Sequence, residues 1–325
     1  MSATRNWTKA IWQAFAQPTY SRAAVDQARR LRSEKMPRSL FKYRPPTELA
    51  LENLKNLQLW FSSAARVNDP LDTAFTVQPD ALYDCPMPYE AREGLFAKGV
   101  TDLLSESQVA ALRSPGLSLR TLGSVLWSQK ETESERTAIA GALEASYREV
   151  TSTFMQSISK DIQTKYQICC FTERIESIAM WAHYTDGHKG FAIEFDAEAL
   201  TLTGESDTIW PVYYSETMFD ATECMAQVCR DKQKFNPLFG IAASTCKSAE
   251  WSYENEWRSI IPIGNGESGH LRTLPQPKRI YLGLAIESKI EQQIVSIAQA
   301  LRIPVYRMKP EQSSYALRFE KISQF

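Results

Sequence analysis

Short β-type runs, each stopped by turn residues and separated by helical segments, constrain the fold of this chain more than any other feature. QICCFT (167–172), GFAIEFD (190–196), WPVYY (210–214), YENEWRSIIPI (253–263), RIYLGL (279–284), PVYRMK (304–309) and YALRFEKI (315–322) read as strands, and SLFKYR (39–44) and QLWFSS (58–63) precede them. Between them lie helical stretches: 47–57 with Thr47 as N-cap, 177–184 with Ser177 as cap, 216–248, and 286–301. This interleaving predicts an α+β fold, a mixed and mostly antiparallel sheet flanked by helices.

Residues 1–38 read as a peripheral N-terminal helical extension. Trp7, Ile11, Trp12 and Phe15 share one helical face. A second helix carries Arg22, Arg29, Arg30, Arg32, Lys35 and Arg38 against Asp26 and Glu34, which is either a solvated face or a contact surface for a partner or nucleic acid. Residues 39–325 read as a single α+β domain with a helical insertion at about 89–163. There Ser105 and Gln108 form a capping box and Pro115-Gly116 a break, while Ile139, Leu143, Tyr147, Val150, Phe154, Ile158 and Ile162 recur at helical spacing.

Composition excludes several classes. With 43 % hydrophobic residues and 35 aromatic side chains (Trp 8, Tyr 13, Phe 14), the chain can bury a core and is not disordered. A net charge of −1 provides no global field toward nucleic acid or anionic lipid, though a local basic patch is compatible with it. No apolar run reaches the length of a membrane span, and the N-terminus lacks the apolar core of a secretory signal. Six cysteines without a CxxC pair read as reduced, buried thiols, so the expected setting is cytoplasmic and no metal site is expected. The P-loop, GxSxG and HExxH motifs are absent.

The chemistry-bearing residues fall in a few stretches. In YENEWRSI a strand period puts Tyr253, Asn255 and Trp257 on one face and Glu254, Glu256 and Arg258 on the other. That polar face is either a solvated ion-paired side or a carboxylate pair in a cleft. His183, between Trp181 and Tyr184, is either a satisfied cap residue or part of a nucleotide-pocket wall whose aromatics stack on a base or nicotinamide ring. Arg44 is placed to fork a phosphate or to pair with Asp69 or Asp72, and Asn68-Asp69-Pro70 reads as a turn.

In order, FKYR (41–44), LWFSS (59–63), NDP (68–70), CFTE (170–173), WAHY (181–184), GFAIEF (190–195) and ENEWR (254–258) resemble a widespread bacterial domain family of unknown function, often met near mobile elements and defence genes. The resemblance spans roughly residues 40–322 and implies no settled activity. A more distant resemblance is to the ADP-ribosyltransferase superfamily, with Arg44 after Tyr43 as the first element and Glu254-Asn255-Glu256 as the last. Ser62 or Thr172 would stand for the middle element, and neither completes a Ser-Thr-Ser. This second resemblance implies NAD as co-substrate, Glu256 as the catalytic residue, Glu254 positioning a protein or nucleic-acid acceptor, and Tyr43 and Arg44 holding the nucleotide. Asn68, Asp69, Trp181, His183, Tyr184 and Arg258 complete the candidate binding set.

The first expectation is therefore an NAD-dependent ADP-ribosyltransferase-like enzyme, a toxin or antiphage effector. A non-catalytic ligand-sensing module and a metal-dependent nuclease built on Asp69, Asp72 and the late carboxylates are the alternatives.

Overall fold

A computed structural model describes residues 5–83, 85–86, 105–118, scattered positions between 121 and 158, 160–202, 209–263 and 269–323. The strands are β1 (Ser39–Arg44), β2 (Gln58–Ser63), β3 (Phe75–Thr76), β4 (Tyr166–Thr172), β5 (Phe191–Asp196), β6 (Ile209–Pro211), β7 (Tyr213–Ser215), β8 (Phe219–Asp220), β9 (Cys246–Ser248), β10 (Glu256–Pro262), β11 (Gly269–Thr273), β12 (Arg279–Leu282), β13 (Val305–Pro310) and β14 (Leu317–Ser323). Ten of them form one sheet in the order β11-β2-β4-β1-β5-β12-β13-β14, with β10 branching from β4 and β6 pairing with β10. Every pairing in this sheet is antiparallel except β12 with β13, so the chain has the α+β architecture its strand-helix alternation predicts.

The described helices include α1 (Asn6–Ala16), α2 (Arg22–Lys35), α3 (Glu48–Lys55), α4 (Glu106–Leu112), α5 (Ile178–Tyr184), α6 (Ala197–Leu202), α7 (Thr222–Arg230), α8 (Phe239–Ser244) and α9 (Ser288–Leu301). Their starts follow local chemistry. Thr47 accepts from the Ala50 amide to open α3, Ser177 from Met180 to open α5, and Ser105 with Gln108 forms the reciprocal box that opens α4. Most of the long helix expected over 139–162 lies outside the described residues, although Ile162 is buried.

One face of the sheet, carrying Leu40, Cys169, Phe171, Ile193 and Trp257, is sealed by α3 through Leu51 and Leu54 and by α9 through Ile294 and Ala298. A second core joins α1, α2, α7 and α8 around Trp210. The N-terminal helices are thus integral rather than peripheral. Ile11 and Phe15 are fully buried, and even Arg32 of the basic helix turns inward, its guanidinium 4.7 Å from the Trp210 ring centroid. The aromatic stripe of α1 outweighs its terminal position in the chain.

Two expected elements differ. Residues 216–248 are not one helix but β8, α7, α8 and β9; Asn236-Pro237 interrupts helical backbone, since a proline disfavours helical geometry before it. YENE is not strand. Residues Ala249–Glu254 form a 3₁₀ turn closed by Asn255 in the left-handed region (φ 43°), and β10 begins only at Glu256.

Candidate active site

The second face of the sheet positions the site. Pairing of Phe41 with Thr172 and of Glu256 with Thr172 lines up Phe41, Thr172 and Glu256 across β1, β4 and β10. Arg258 opposite Cys170 forms the next row on the same face. Above these rows is a cavity of about 210 Å³, with Phe41, Tyr43, Phe171 and Met180 on its apolar side and Thr172, Lys247, Glu254, Glu256 and Arg258 on its polar side. Asn68 and Tyr184 stand at its rim, and Lys42, Val67, Asp72 and Cys170 complete the lining.

Burial decides between the two readings of the ENEWR polar face. Glu254, Glu256 and Arg258 are 2 %, 3 % and 0 % exposed, so they face the cavity, not solvent. The alternation expected of a strand does not bring Glu254 there. Asn255 does, because an asparagine tolerates left-handed backbone and turns the chain between the 3₁₀ segment and β10.

Arg258 is the centre of the polar wall. Its Nη1 and Nη2 donate to Asp72 Oδ1 (2.8 Å) and Oδ2 (2.6 Å), its Nε and Nη2 to Glu256 Oε1 (2.8 Å) and Oε2 (3.1 Å), and Nη1 also to the Ser244 carbonyl (2.7 Å). Lys247 Nζ donates to Glu254 Oε2 (2.7 Å) and Glu256 Oε2 (3.1 Å), lies 3.8 Å from Asp72 Oδ2, and sits 4.8 Å from the centre of the Trp251 ring. Tyr184 Oη donates to Glu254 Oε1 (2.5 Å), and the Thr172 hydroxyl donates to the Glu254 carbonyl. The Glu256 amide is held by Tyr214 Oη at 2.9 Å.

These contacts drive the two carboxylates apart. Burial alone would raise Glu256, but the adjacent Arg258 and Lys247 charges outweigh it and hold that carboxyl well below the ordinary range. Glu254 is pushed up, first by burial and then by the Glu256 charge, with Lys247 opposing. Lys247 and Arg258 both rise above their ordinary values because their carboxylate partners outweigh the cost of burial. The Cys170 thiol is pushed up by burial and by Glu256, so it is not an activated nucleophile.

The remaining predicted residues divide. Tyr43, Asn68, Thr172 and Tyr184 line the cavity with Glu254, Glu256 and Arg258. Arg44 does not. Strand alternation turns it away from Tyr43, toward Cys169 on the far face, where burial lowers its pKa. Neither Asp69 nor Asp72 pairs with it; Asp69 Oδ1 accepts from the Leu71 amide (2.9 Å) in the expected turn, and Asp72 belongs to Arg258. Ser62 lies on β2, outside the cavity. Trp181 is a core residue at 0 % exposure, its indole N–H donating to the Ile175 carbonyl (2.7 Å), so it is no stacking surface for a ring. His183 is exposed and its Nδ1 lies 3.1 Å from Tyr253 Oη, outside the cavity lining.

The comparisons bear on the same segment. Residues 180–259 match the family model described as Protein of unknown function (DUF2971). No curated protein and no solved structure matches the chain. The DUF2971 segment includes WAHY, GFAIEF and ENEWR, and it supplies Tyr184, Lys247, Glu254, Glu256 and Arg258 to the cavity.

Sequence reasoning missed Lys247 and the role of Asp72. A usable signal existed for the first: Lys247 is the single charged residue between Lys234 and Glu250, in a run of small and apolar residues. Asp72 carried none beyond its proximity to the NDP turn. Thr73 beside it adopts φ 63°, an uncommon backbone for a β-branched residue, and the Arg258 fork holds the turn there. Among the described residues no cluster of three metal-ligating side chains has the geometry to hold an ion, and no helix is long and apolar enough to cross a membrane.

Proposed function

We propose that the cavity is the active site of an NAD-consuming enzyme of ADP-ribosyltransferase-like chemistry, a reading that also accommodates an effector role in defence. The observation that carries it is the pair of buried carboxylates on one wall, Glu254 and Glu256, whose protonation is pushed in opposite directions. Such divergence in a cleft makes the pair a candidate for acid–base work.

The charged lining is balanced: Asp72, Glu254 and Glu256 against Lys42, Lys247 and Arg258 give three negative and three positive charges when all are ionised. The opposite wall is aromatic, which suits a positively charged ring. At about 210 Å³ the cavity lies below the ~300 Å³ lower end for drug-sized sites. It therefore accommodates one ring-sized end of a dinucleotide, with the remainder at the Asn68–Tyr184 rim.

In this reaction the bond between ribose C1′ and the nicotinamide nitrogen breaks, and its electron pair neutralises the pyridinium. The ribose passes through an oxocarbenium-like state, which the fixed anion of Glu256 stabilises electrostatically. An acceptor hydroxyl, amine or water then bonds to C1′ and gives its proton to Glu254, whose raised pKa makes it the better base. Arg44 has no part in this account, and Arg258 acts by holding Glu256 rather than by clamping a pyrophosphate.

The test is nicotinamide release from NAD by wild type beside Glu254→Gln, with melting temperatures recorded for both. Release by wild type only, at equal stability, supports the reading; equal release by both removes Glu254 from the chemistry. A second reading, a ligand-sensing module, is favoured by the engagement of both Glu256 oxygens and all three Arg258 nitrogens within the protein. It predicts a ligand-dependent rise in melting temperature with the ligand recovered unchanged.

A further inference from the structure

We propose that Tyr184 is a positioning residue that holds the Glu254 carboxylate in place and governs how readily it takes a proton. The inference rests on the reading of Glu254 as proton acceptor given above. The phenol is committed on both sides: it donates to Glu254 Oε1 (2.5 Å) and accepts from Asn68 Nδ2 (3.1 Å). Burial, and then the Glu254 charge, push the phenol far above its ordinary range, so it stays protonated and serves as a donor.

The placement is specific. Tyr184 is the last residue of α5, and Glu254 is the last residue before the left-handed Asn255, so two element ends meet at this one hydrogen bond. Glu254 Oε2 is taken by Lys247 and Oε1 by Tyr184, which fixes the carboxylate plane between two donors. Asn68 is exposed whereas Glu254 is buried, so the contact also spans the cavity wall from solvent to the carboxylate.

Other groups act on Glu254 as well. Lys247 faces it from β9, Glu256 and Arg258 from β10, Asp72 from the turn after Pro70, Tyr214 from β7, and Tyr253 adjoins it in the 3₁₀ turn. Of these, Lys247 favours the charged form and Glu256 opposes it. The Tyr184 hydrogen bond also favours the charged form, and its removal leaves the others in place.

Tyr184→Phe deletes the hydroxyl and keeps the ring. The Glu254 titration is read by carbon NMR on protein labelled at the glutamate carboxyl, the signal assigned by its absence in Glu254→Gln. The expected result is a midpoint higher by about one pH unit, the size of one lost hydrogen bond to a charged acceptor, with the acid limb of nicotinamide release moving in parallel. An unchanged midpoint in a Tyr184→Phe protein that melts like wild type overturns the proposal. If Tyr184→Phe does not fold, Asn68→Ala takes its place: a smaller shift in the same direction supports the proposal and no shift overturns it. Because the titration needs no turnover, wild type that releases no nicotinamide would defeat the proposed reaction while leaving the role of Tyr184 decided by the NMR result.

Discussion

Arg258 and Asp72 lie 186 residues apart in sequence and meet in a buried two-pronged ion pair, Nη1 to Oδ1 at 2.8 Å and Nη2 to Oδ2 at 2.6 Å. The pair ties the turn after β2 to the far strand β10 and so closes one side of the cavity. Both side chains are at most 1 % exposed, which makes the contact costly to break from one side.

Asp72→Ala is expected to lower stability by roughly 3–5 kcal/mol in urea unfolding, because it leaves a buried guanidinium half paired. Arg258→Lys should also destabilise, since an ammonium cannot fork to Asp72 and reach Glu256 at once. A loss below about 1 kcal/mol in both, the level of a solvent-exposed pair, would contradict the arrangement.

The two glutamates should separate in their effects. Glu254→Gln is expected to cost activity by about 10²-fold or more while melting near wild type, because it removes a base, keeps an amide oxygen to accept from Lys247, and leaves Lys247 paired with Glu256. Glu256→Gln is expected to lose both activity and stability, because it unbalances Arg258 and Lys247. Equal melting of the two variants would show that Glu256 is not the anchor.

Stability should bend with pH in two opposite ways. The folded pKa of Glu254 is raised above its unfolded value, so folding takes up a proton as pH falls through the raised pKa, and stability rises there. The folded pKa of Glu256 is depressed; its contribution is present above about 4.3, the unfolded glutamate value, and is lost as pH falls further toward the folded one. Denaturation across pH 3–8, wild type beside Glu254→Gln, checks this: the mild-acid gain should vanish in the variant. A gain that persists in Glu254→Gln belongs to another group.

His183→Ala should change neither kcat nor KM for NAD by more than about twofold, the range of an ordinary surface substitution near 0.5 kcal/mol. Its imidazole is exposed and contacts Tyr253, outside the cavity lining. A tenfold change in either constant would place His183 in the site.

The strands were legible because their β-type runs end at prolines, glycines or polar clusters, and the caps at Thr47, Ser105 and Ser177 act within one turn of chain. What the sequence concealed is long-range. Nothing near Asp72 indicates that β10 will supply its partner, and nothing in FKYR distinguishes an inward Tyr43 from an Arg44 turned to the other face without the strand's register. Trp181 and His183 are ambiguous in sequence for a related reason: an aromatic beside a histidine at a helix end reads the same whether the ring packs inward or lines a pocket. ENEWR in sequence leaves a solvated face and a cleft both open; burial selects the cleft, and one left-handed asparagine does what strand alternation was expected to do.

The most direct test of the central claim follows the adenylate half of NAD. Purified wild type and Glu254→Gln are incubated with NAD labelled on that half, with and without bacterial lysate, and both nicotinamide and label are traced. The account predicts nicotinamide release by wild type alone, with the label on a lysate acceptor or in free ADP-ribose. Intact NAD in every sample, lysate included, would contradict it and leave the cavity as a binding site.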